Sequence, residues 1–446
     1  MTEDASGIVG DGADRGRIGL ARKLGAFGIG VAIFNTVVGS GIFVLPAALA
    51  KAVGPDAPLA YLACAVAMGG VVWCFAAAGS RVPTSGGPYG YSRAAFGPFV
   101  GFVVGVFVWL GCLLASAGVA TAIADNLGRV WPVFATALGR GGLIVVLFGL
   151  FGAINTLGVT PGARLVQGLT AAKLIPIAVL LGVGVFFIKP ANLAPVPFQP
   201  TDFGRAMILA LFAFQGMEGA LGASGEVKDP ARKIPRGLIG AMLVVTVLYV
   251  AIQMVTQGVL GPALAQSKAP LADALAGASP LLVALLLAGA TISMLGYLSS
   301  DTLTAPRILY AFAADGLLPR IIANVHPATR APYVSVILYV VLGAGLALTG
   351  SFVKLVTLAS LSSVCAYIIA CCAAVVLERR GVQTAGTPLS SAAIYPAAAI
   401  GIVGMLWILA QARPEEMLGG LATLVITGLW YGVATVLRRR PEPSTP

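Results

Sequence analysis

Charge is what this sequence has least of. Only 10% of its 446 residues are Asp, Glu, Lys or Arg, where a soluble globular domain carries roughly a quarter. Such a chain cannot clothe a water-facing surface, which excludes a soluble fold. Histidine occurs once, at His326, and neither an HExxH motif nor paired intramembrane aspartates are present, so an enzyme has no metal centre or acid–base pair to work with. A Walker phosphate-binding motif is missing, which excludes nucleotide-driven pumping. Repeated filter loops and rings of like charge, the needs of a channel, are missing too. The six cysteines (Cys64, Cys74, Cys112, Cys365, Cys371 and Cys372) lie in apolar stretches without metal-ligand spacing and read as reduced packing residues. No metal and no cofactor is expected.

What is abundant is apolar. Hydrophobic residues make up 58% of the chain, and its mean hydropathy is +0.94. A helix crosses the ~30 Å hydrocarbon core of a bilayer with about 20 apolar residues. About twelve such stretches are legible, near 25–50, 57–80, 95–125, 142–158, 164–188, 203–223, 236–260, 280–312, 332–349, 353–377, 392–411 and 416–437. The expected fold class is an all-α multi-pass membrane protein set in a lipid bilayer.

The formal net charge of +11 raises the question of nucleic acid, and its distribution answers it. With the N-terminus inside, the basic clusters Arg15–Lys23, Lys228–Arg236, Arg379–Arg380 and Arg438–Arg440 all fall on cytoplasmic segments, as do Arg81, Arg93, Arg164, Arg307, Arg320 and Arg330. The outer segments hold only scattered bases such as Lys51, Arg129 and Lys268. This is the positive-inside asymmetry; it places both termini in the cytoplasm and reports topology in a cytoplasmic (inner) membrane, not a nucleic-acid partner. Residues 1–23 are expected to form a disordered tail without a cleavable signal peptide, the first span acting as its own insertion signal. A second tail is expected at 438–446.

Two apolar stretches break at corresponding places. The first is interrupted at Thr36-Val37-Val38-Gly39-Ser40-Gly41, the second at Ala213-Phe214-Gln215-Gly216-Met217-Glu218-Gly219. A membrane helix can unwind only where protein or a water-filled cavity satisfies the freed backbone groups. Half-helix ends offer N–H groups to anions and C=O groups to cations, so a matched pair suits a small zwitterion near the bilayer centre. Spans one to five (24–190) and six to ten (200–378) each begin with a broken helix. Because five is odd, the second half must be inverted relative to the first: a 5+5 inverted repeat. Spans eleven and twelve (390–437) stand outside it and read as two peripheral helices facing lipid or a second copy.

Three ionisable residues inside spans stand out. Glu218 is too costly in an apolar stretch to serve packing, at ~2.5 kcal/mol or more for a charge; it suits the loading and unloading of a proton, or else it hydrogen-bonds the broken helix without titrating. Lys173 lies about nine residues into span five among Ala171, Ala172, Leu174 and Ile175, and must find carbonyls or a carboxylate, lose its proton, or snorkel. Asp301, within Ser299-Ser300-Asp301-Thr302, has either Lys173 or a cationic cargo group as its candidate partner; pairing with Lys173 would neutralise both. Pro83, Gly86, Gly87 and Pro88 predict a tight turn before span three. The mixed-charge stretch from Glu226 to Arg236 and the region of His326 read as loops.

The runs VVGSGIFVLP (Val37–Pro46), RVPTSGGPYGYSRAAFGPFVG (Arg81–Gly101), FAFQGMEGALGASGEVKDPARKIPRG (Phe212–Gly237) and AFAADGLLPRIIANVHPATRAP (Ala311–Pro332) together resemble the amino acid-polyamine-organocation family of permeases. The resemblance implies a leucine-transporter-like fold and a cargo held by the unwound parts of spans one and six. It places the carboxylate on Gly39, Ser40 and Gly41, and the amino group on carbonyls of Phe212, Ala213, Phe214 and Gly216, with an aromatic ring closing the pocket; Thr36, Val37 and Ser116 complete the substrate set. Family members carry a glutamate matching Glu218. A lysine resembling Lys173 stands where sodium-coupled relatives bind sodium, bridging spans one and eight, which implies sodium-independent transport. Arginine/agmatine exchangers carry tryptophan and asparagine where this chain has Phe212, Asp301, Thr36 and Ser116. The expected activity is therefore movement of neutral or broadly selected amino acids by proton symport or exchange, with a basic amino acid or polyamine antiporter as the alternative.

Overall fold

The computed structural model describes residues 26–39, 41–82, 87–156, 173–195, 197, 199–221, 227, 229–329, 331–383 and 388–438. No strand occurs among them. Span one is α1 (Ala26–Val37) followed by α2 (Gly41–Val53), span two is α3 (Ala57–Arg81), and a short α4 (Pro88–Phe96) leads into span three, α5 (Pro98–Leu127). Span four is α6 (Ala137–Thr156); of span five the described part is Lys173 and α7 (Leu174–Gly184). Span six is α8 (Pro200–Phe214) and α9 (Met217–Leu221), span seven α10 (Pro230–Leu260), and a small α11 (Pro270–Ala274) precedes span eight, α12 (Pro280–Thr304) and α13 (Pro306–Ala314). Spans nine to twelve are α14 (Tyr333–Thr349), α15 (Phe352–Arg379), α16 (Ile394–Ala410) and α17 (Pro414–Arg438). All twelve expected spans thus have helical counterparts. Residues 1–23 and 439–446 of the expected tails, with Pro83, Gly86, Glu226 and Lys228, lie outside the described residues; Arg438 ends α17.

Proline sets many of the boundaries. It is the first residue of α4, α5, α8, α10, α11, α12, α13 and α17, where its missing N–H would have had no helical partner and its fixed φ already suits the helix. The same chemistry corrects three expectations. Pro88 opens a nine-residue helix instead of closing a turn. Arg232–Arg236, read as loop, belongs to α10, which tolerates Pro235 close to its start. Span eight, read as continuous, is divided at Ala305 by Pro306.

α3 lies at the centre, packed against α10, α16, α15 and α8, while α5 lies along α15. Water does not drive helices together inside lipid, so close backbone approach has to. The contact between α3 and α16 shows how: a Cβ added at Gly70 would lie 2.5 Å from the Ala397 carbonyl and 2.5 Å from the Gly401 nitrogen. Span eleven is therefore fastened to the core by one face, while Ile400, Val403 and Leu406 are exposed on the other. α17 fits the expectation better, with Leu418, Ile426, Leu429 and Val433 exposed along it.

Candidate functional site

The chain unwinds after α1, and the carbonyls released there are taken up one by one. Val38 N–H still reaches Phe34 O at 2.8 Å and Gly39 N–H reaches Val37 O at 2.8 Å. Beyond that, side chains substitute for the missing turn. The Tyr249 hydroxyl of α10 donates to Val37 O at 2.8 Å. Ser293 of α12 donates to Gly39 O at 3.1 Å. Lys173, 3% exposed, donates from Nζ to Asn35 O and to Val38 O, both at 2.7 Å, and to Asn35 Oδ1. An ammonium at the C-terminal end of a helix meets the negative end of its dipole, and carbonyls stranded in lipid have no other donor.

The second break is built around Gly216, whose φ of +105° is open to glycine and strained for other residues. A Cβ there would also lie 2.8 Å from Thr36 O. Gln215 N–H closes a turn on Phe212 O at 3.3 Å, and the Gly216 N–H donates to Glu218 Oε2 at 3.2 Å. The Tyr367 hydroxyl of α15 lies 3.1 and 3.2 Å from the two Glu218 oxygens. The amide nitrogen of Gln215 is buried without a hydrogen-bond partner. The breaks face each other: Thr36 lies against Gly216, and Gly41, the first residue of α2, lies against Phe212 and Ala213.

A third group forms around Asp301 on α12. Its Oδ2 accepts from Ser116 Oγ of α5 at 2.6 Å and from the Tyr339 hydroxyl of α14. Ser116 and Tyr339 are fully buried, and Asp301 is 8% exposed. Lys173 and Asp301 form no ion pair, because the ammonium is fully engaged by Asn35 and Val38. Nor does Lys173 bridge spans one and eight; that link is made by Ser293.

The sequence-predicted residues thus fall into three groups, one at the facing breaks, one where Lys173 meets the end of α1, and one where Ser116 meets Asp301; two residues stand apart. Ser40 lies outside the described residues. The Phe214 ring packs between Tyr61 and Tyr249, at 6.4 and 5.8 Å, which leaves its backbone as the part nearest the break. Phe212 is the aromatic at the junction, edge-on to Phe352 at 6.1 Å. Thr36 turns its hydroxyl back to Ile33 O at 2.9 Å, and Val37 serves through its carbonyl. His326 is an exposed loop residue whose Nδ1 accepts from Thr329 N–H at 3.3 Å.

Sequence reasoning missed Asn35, Tyr249, Ser293, Tyr297, Tyr339 and Tyr367. One signal was available: Ser293, Tyr297 and Asp301 follow at i, i+4 and i+8, the spacing of one helix face. The Tyr297 ring indeed covers Gly39, 2.9 Å from where a Cβ would be. The tyrosines from α10, α14 and α15 carry no local motif.

A family model described as amino acid permease matches residues 24–414. The chain is 29% identical over 394 residues to a branched-chain amino acid permease of Bacillus subtilis, covering 82% of this chain and 83% of that protein. It is likewise 29% identical to the methylthioribose transporter of Bacillus subtilis, over 81% of this chain and 82% of the other. An uncharacterised transporter of Mycobacterium tuberculosis is 30% identical over 437 residues, 95% of this chain and 94% of its own length. These relatives are named as permeases or transporters, not enzymes, and the range matched by the family model spans the two breaks and the helices that clasp them. The chain is a multi-pass membrane protein that belongs to the amino acid permease family.

Proposed function

We propose that this protein carries amino acids across the cytoplasmic membrane by alternating access, without sodium, coupled to a proton or by exchange. The observation that carries the reading is the Lys173 ammonium on the carbonyl oxygens of Asn35 and Val38. A cation is needed where α1 unwinds, and the chain supplies it covalently. A fixed ammonium leaves no vacancy for a sodium ion to fill and empty during the cycle.

The cargo is proposed to lie between the breaks, its carboxylate toward the α2 start at Gly39, Ser40 and Gly41, its amino group toward the α8 end at Phe212, Ala213, Phe214 and Gly216. Thr36, Val37 and Ser116 complete the lining. Glu218 is the proposed proton carrier, since it touches the second break through Gly216 N–H. In this reading 24–190 and 200–378 are the two inverted halves, with 390–437 appended and both termini cytoplasmic. Spans one, two, six and seven rock against spans three, four, eight and nine. The relatives named for branched-chain amino acids and for methylthioribose support a small zwitterionic or polar cargo without choosing among members.

Uptake of a labelled amino acid mixture by liposomes containing the purified chain tests this. Saturable uptake that is equal in sodium and choline buffers and faster with an acidic exterior or a preloaded interior is expected; a strict sodium requirement would refute the Lys173 assignment.

A further inference from the structure

Asp301 is a buried acid without a countercharge among the described residues. The groups that donate to it are two hydroxyls, from Ser116 and Tyr339. No lysine or arginine among the described residues pairs with it, and the one ammonium of the site, Lys173, is spent on Asn35 and Val38. Among the described residues the site therefore holds two carboxyl groups, Glu218 at the second break and Asp301 on α12, against one ammonium. Buried charges are retained where they are paired. The missing positive charge has to come from something that enters.

Placement says what can bring it. Ser293 binds the Gly39 carbonyl and Tyr297 covers Gly39; Asp301 follows Tyr297 by four residues on the same face, about 6 Å further along α12 at a rise of 1.5 Å per residue. That displacement suits the flexible four-carbon stem of a lysine-like side chain whose backbone groups lie at the breaks. Ser116 and Tyr339, on α5 and α14, donate to the same carboxylate oxygen and hold it toward the α5 side of the site.

We infer that Asp301, gripped by Ser116 and Tyr339, is the subsite for a positively charged end of the cargo side chain, so that amino acids bearing an ammonium or guanidinium group are preferred over neutral ones of equal length. The inference rests on the amino acid carrier reading above and shifts its cargo from neutral toward cationic, because the structure removes Lys173 as the competing partner.

Lysine and norleucine differ at the chain end by the ammonium group, which makes them the probe pair. In wild-type protein in liposomes, lysine should inhibit labelled amino acid uptake at a concentration at least tenfold lower than norleucine, and in detergent it should raise the melting temperature more at equal concentration. Asp301→Asn should bring the lysine-to-norleucine ratio of kcat/KM close to one, whatever its absolute rate, and Asp301→Glu should restore part of it. Should Asp301→Asn fail to fold, the wild-type pair still decides. Equal or stronger action of norleucine on wild type overturns the inference. So does a ratio that survives Asp301→Asn, including the case in which that variant loses only the pH dependence of norleucine uptake and thereby behaves as a proton site. Lack of saturable uptake of any amino acid would instead remove the carrier reading, and the subsite with it.

Discussion

Lys173 and Val38 stand 135 positions apart, yet the ammonium of the first lies 2.7 Å from the carbonyl oxygen of the second. This contact ties span five to the unwound tip of α1 and makes a covalently attached cation part of the broken helix. Lys173→Ala should therefore strand the carbonyls of Asn35 and Val38 and lower uptake at least tenfold, an expectation built on the ~1.5–3 kcal/mol typical of charge-assisted hydrogen bonds. Sodium should not rescue it, because the oxygens that the alanine strands, those of Asn35 and Val38, are neutral and include no carboxylate to balance the ion's charge. Uptake in sodium and choline buffers checks both points, and unchanged transport would remove the ion-like role.

Glu218 accepts from the Gly216 N–H and lies within reach of the Tyr367 hydroxyl. Glu218→Gln keeps a carbonyl oxygen for Gly216 but cannot release or bind a proton. Net uptake should cease to rise as the outside is acidified, while exchange of internal for external amino acid persists. Parallel measurement of the two modes decides; equal loss of both would mean that the carboxyl group serves structure alone.

Gly216→Ala confronts a φ of +105° and the Thr36 carbonyl 2.8 Å from the new carbon. Backbone strain of this kind costs about 1–3 kcal/mol, and the clash adds to it. A melting temperature several degrees lower, with transport lost, is the expected result in detergent and in liposomes. An alanine variant of wild-type stability would show that the second break is not shaped as described.

On the surface, Arg129 at the end of α5 holds Asp273 of α11 by two bonds, at 2.9 and 2.6 Å, and Ser267 adds a third at 2.5 Å. Both charged side chains are partly exposed, so solvent screens them and the pair should be worth about 1 kcal/mol or less. A double-mutant cycle with Arg129→Ala and Asp273→Ala, read by thermal unfolding, measures it. A coupling several times larger would mark this pair as a lock between the end of α5 and α11 and not a surface contact.

Much of the fold was written in local sequence. Apolar length gave the spans, and the small-residue interruptions at Gly39 and Gly216 gave the breaks, because an unwound turn in lipid needs residues without bulk. Lys173, Glu218 and Asp301 announced themselves by cost, since each is a charge where none is cheap. Their partners were less legible. Tyr249, Tyr339 and Tyr367 reach the site from three different spans, and a tyrosine in an apolar helix looks the same whether it packs, as Tyr61 does, or donates to a carboxylate. Whether Lys173 met Asp301 depended on distances between helices, which no spacing along the chain encodes. The proline-led starts of α4 and α10 were misread because proline breaks a helix from within but begins one well.

The most direct test of the central claim is counterflow. Liposomes holding the purified protein are loaded with unlabelled amino acid and diluted into a trace of the labelled one, with choline in place of sodium. A site between two broken helices that opens to one side at a time predicts transient accumulation of label above its outside concentration, saturable and independent of sodium. Influx that is linear in concentration and indifferent to the internal amino acid, or that appears only with sodium, would contradict the account.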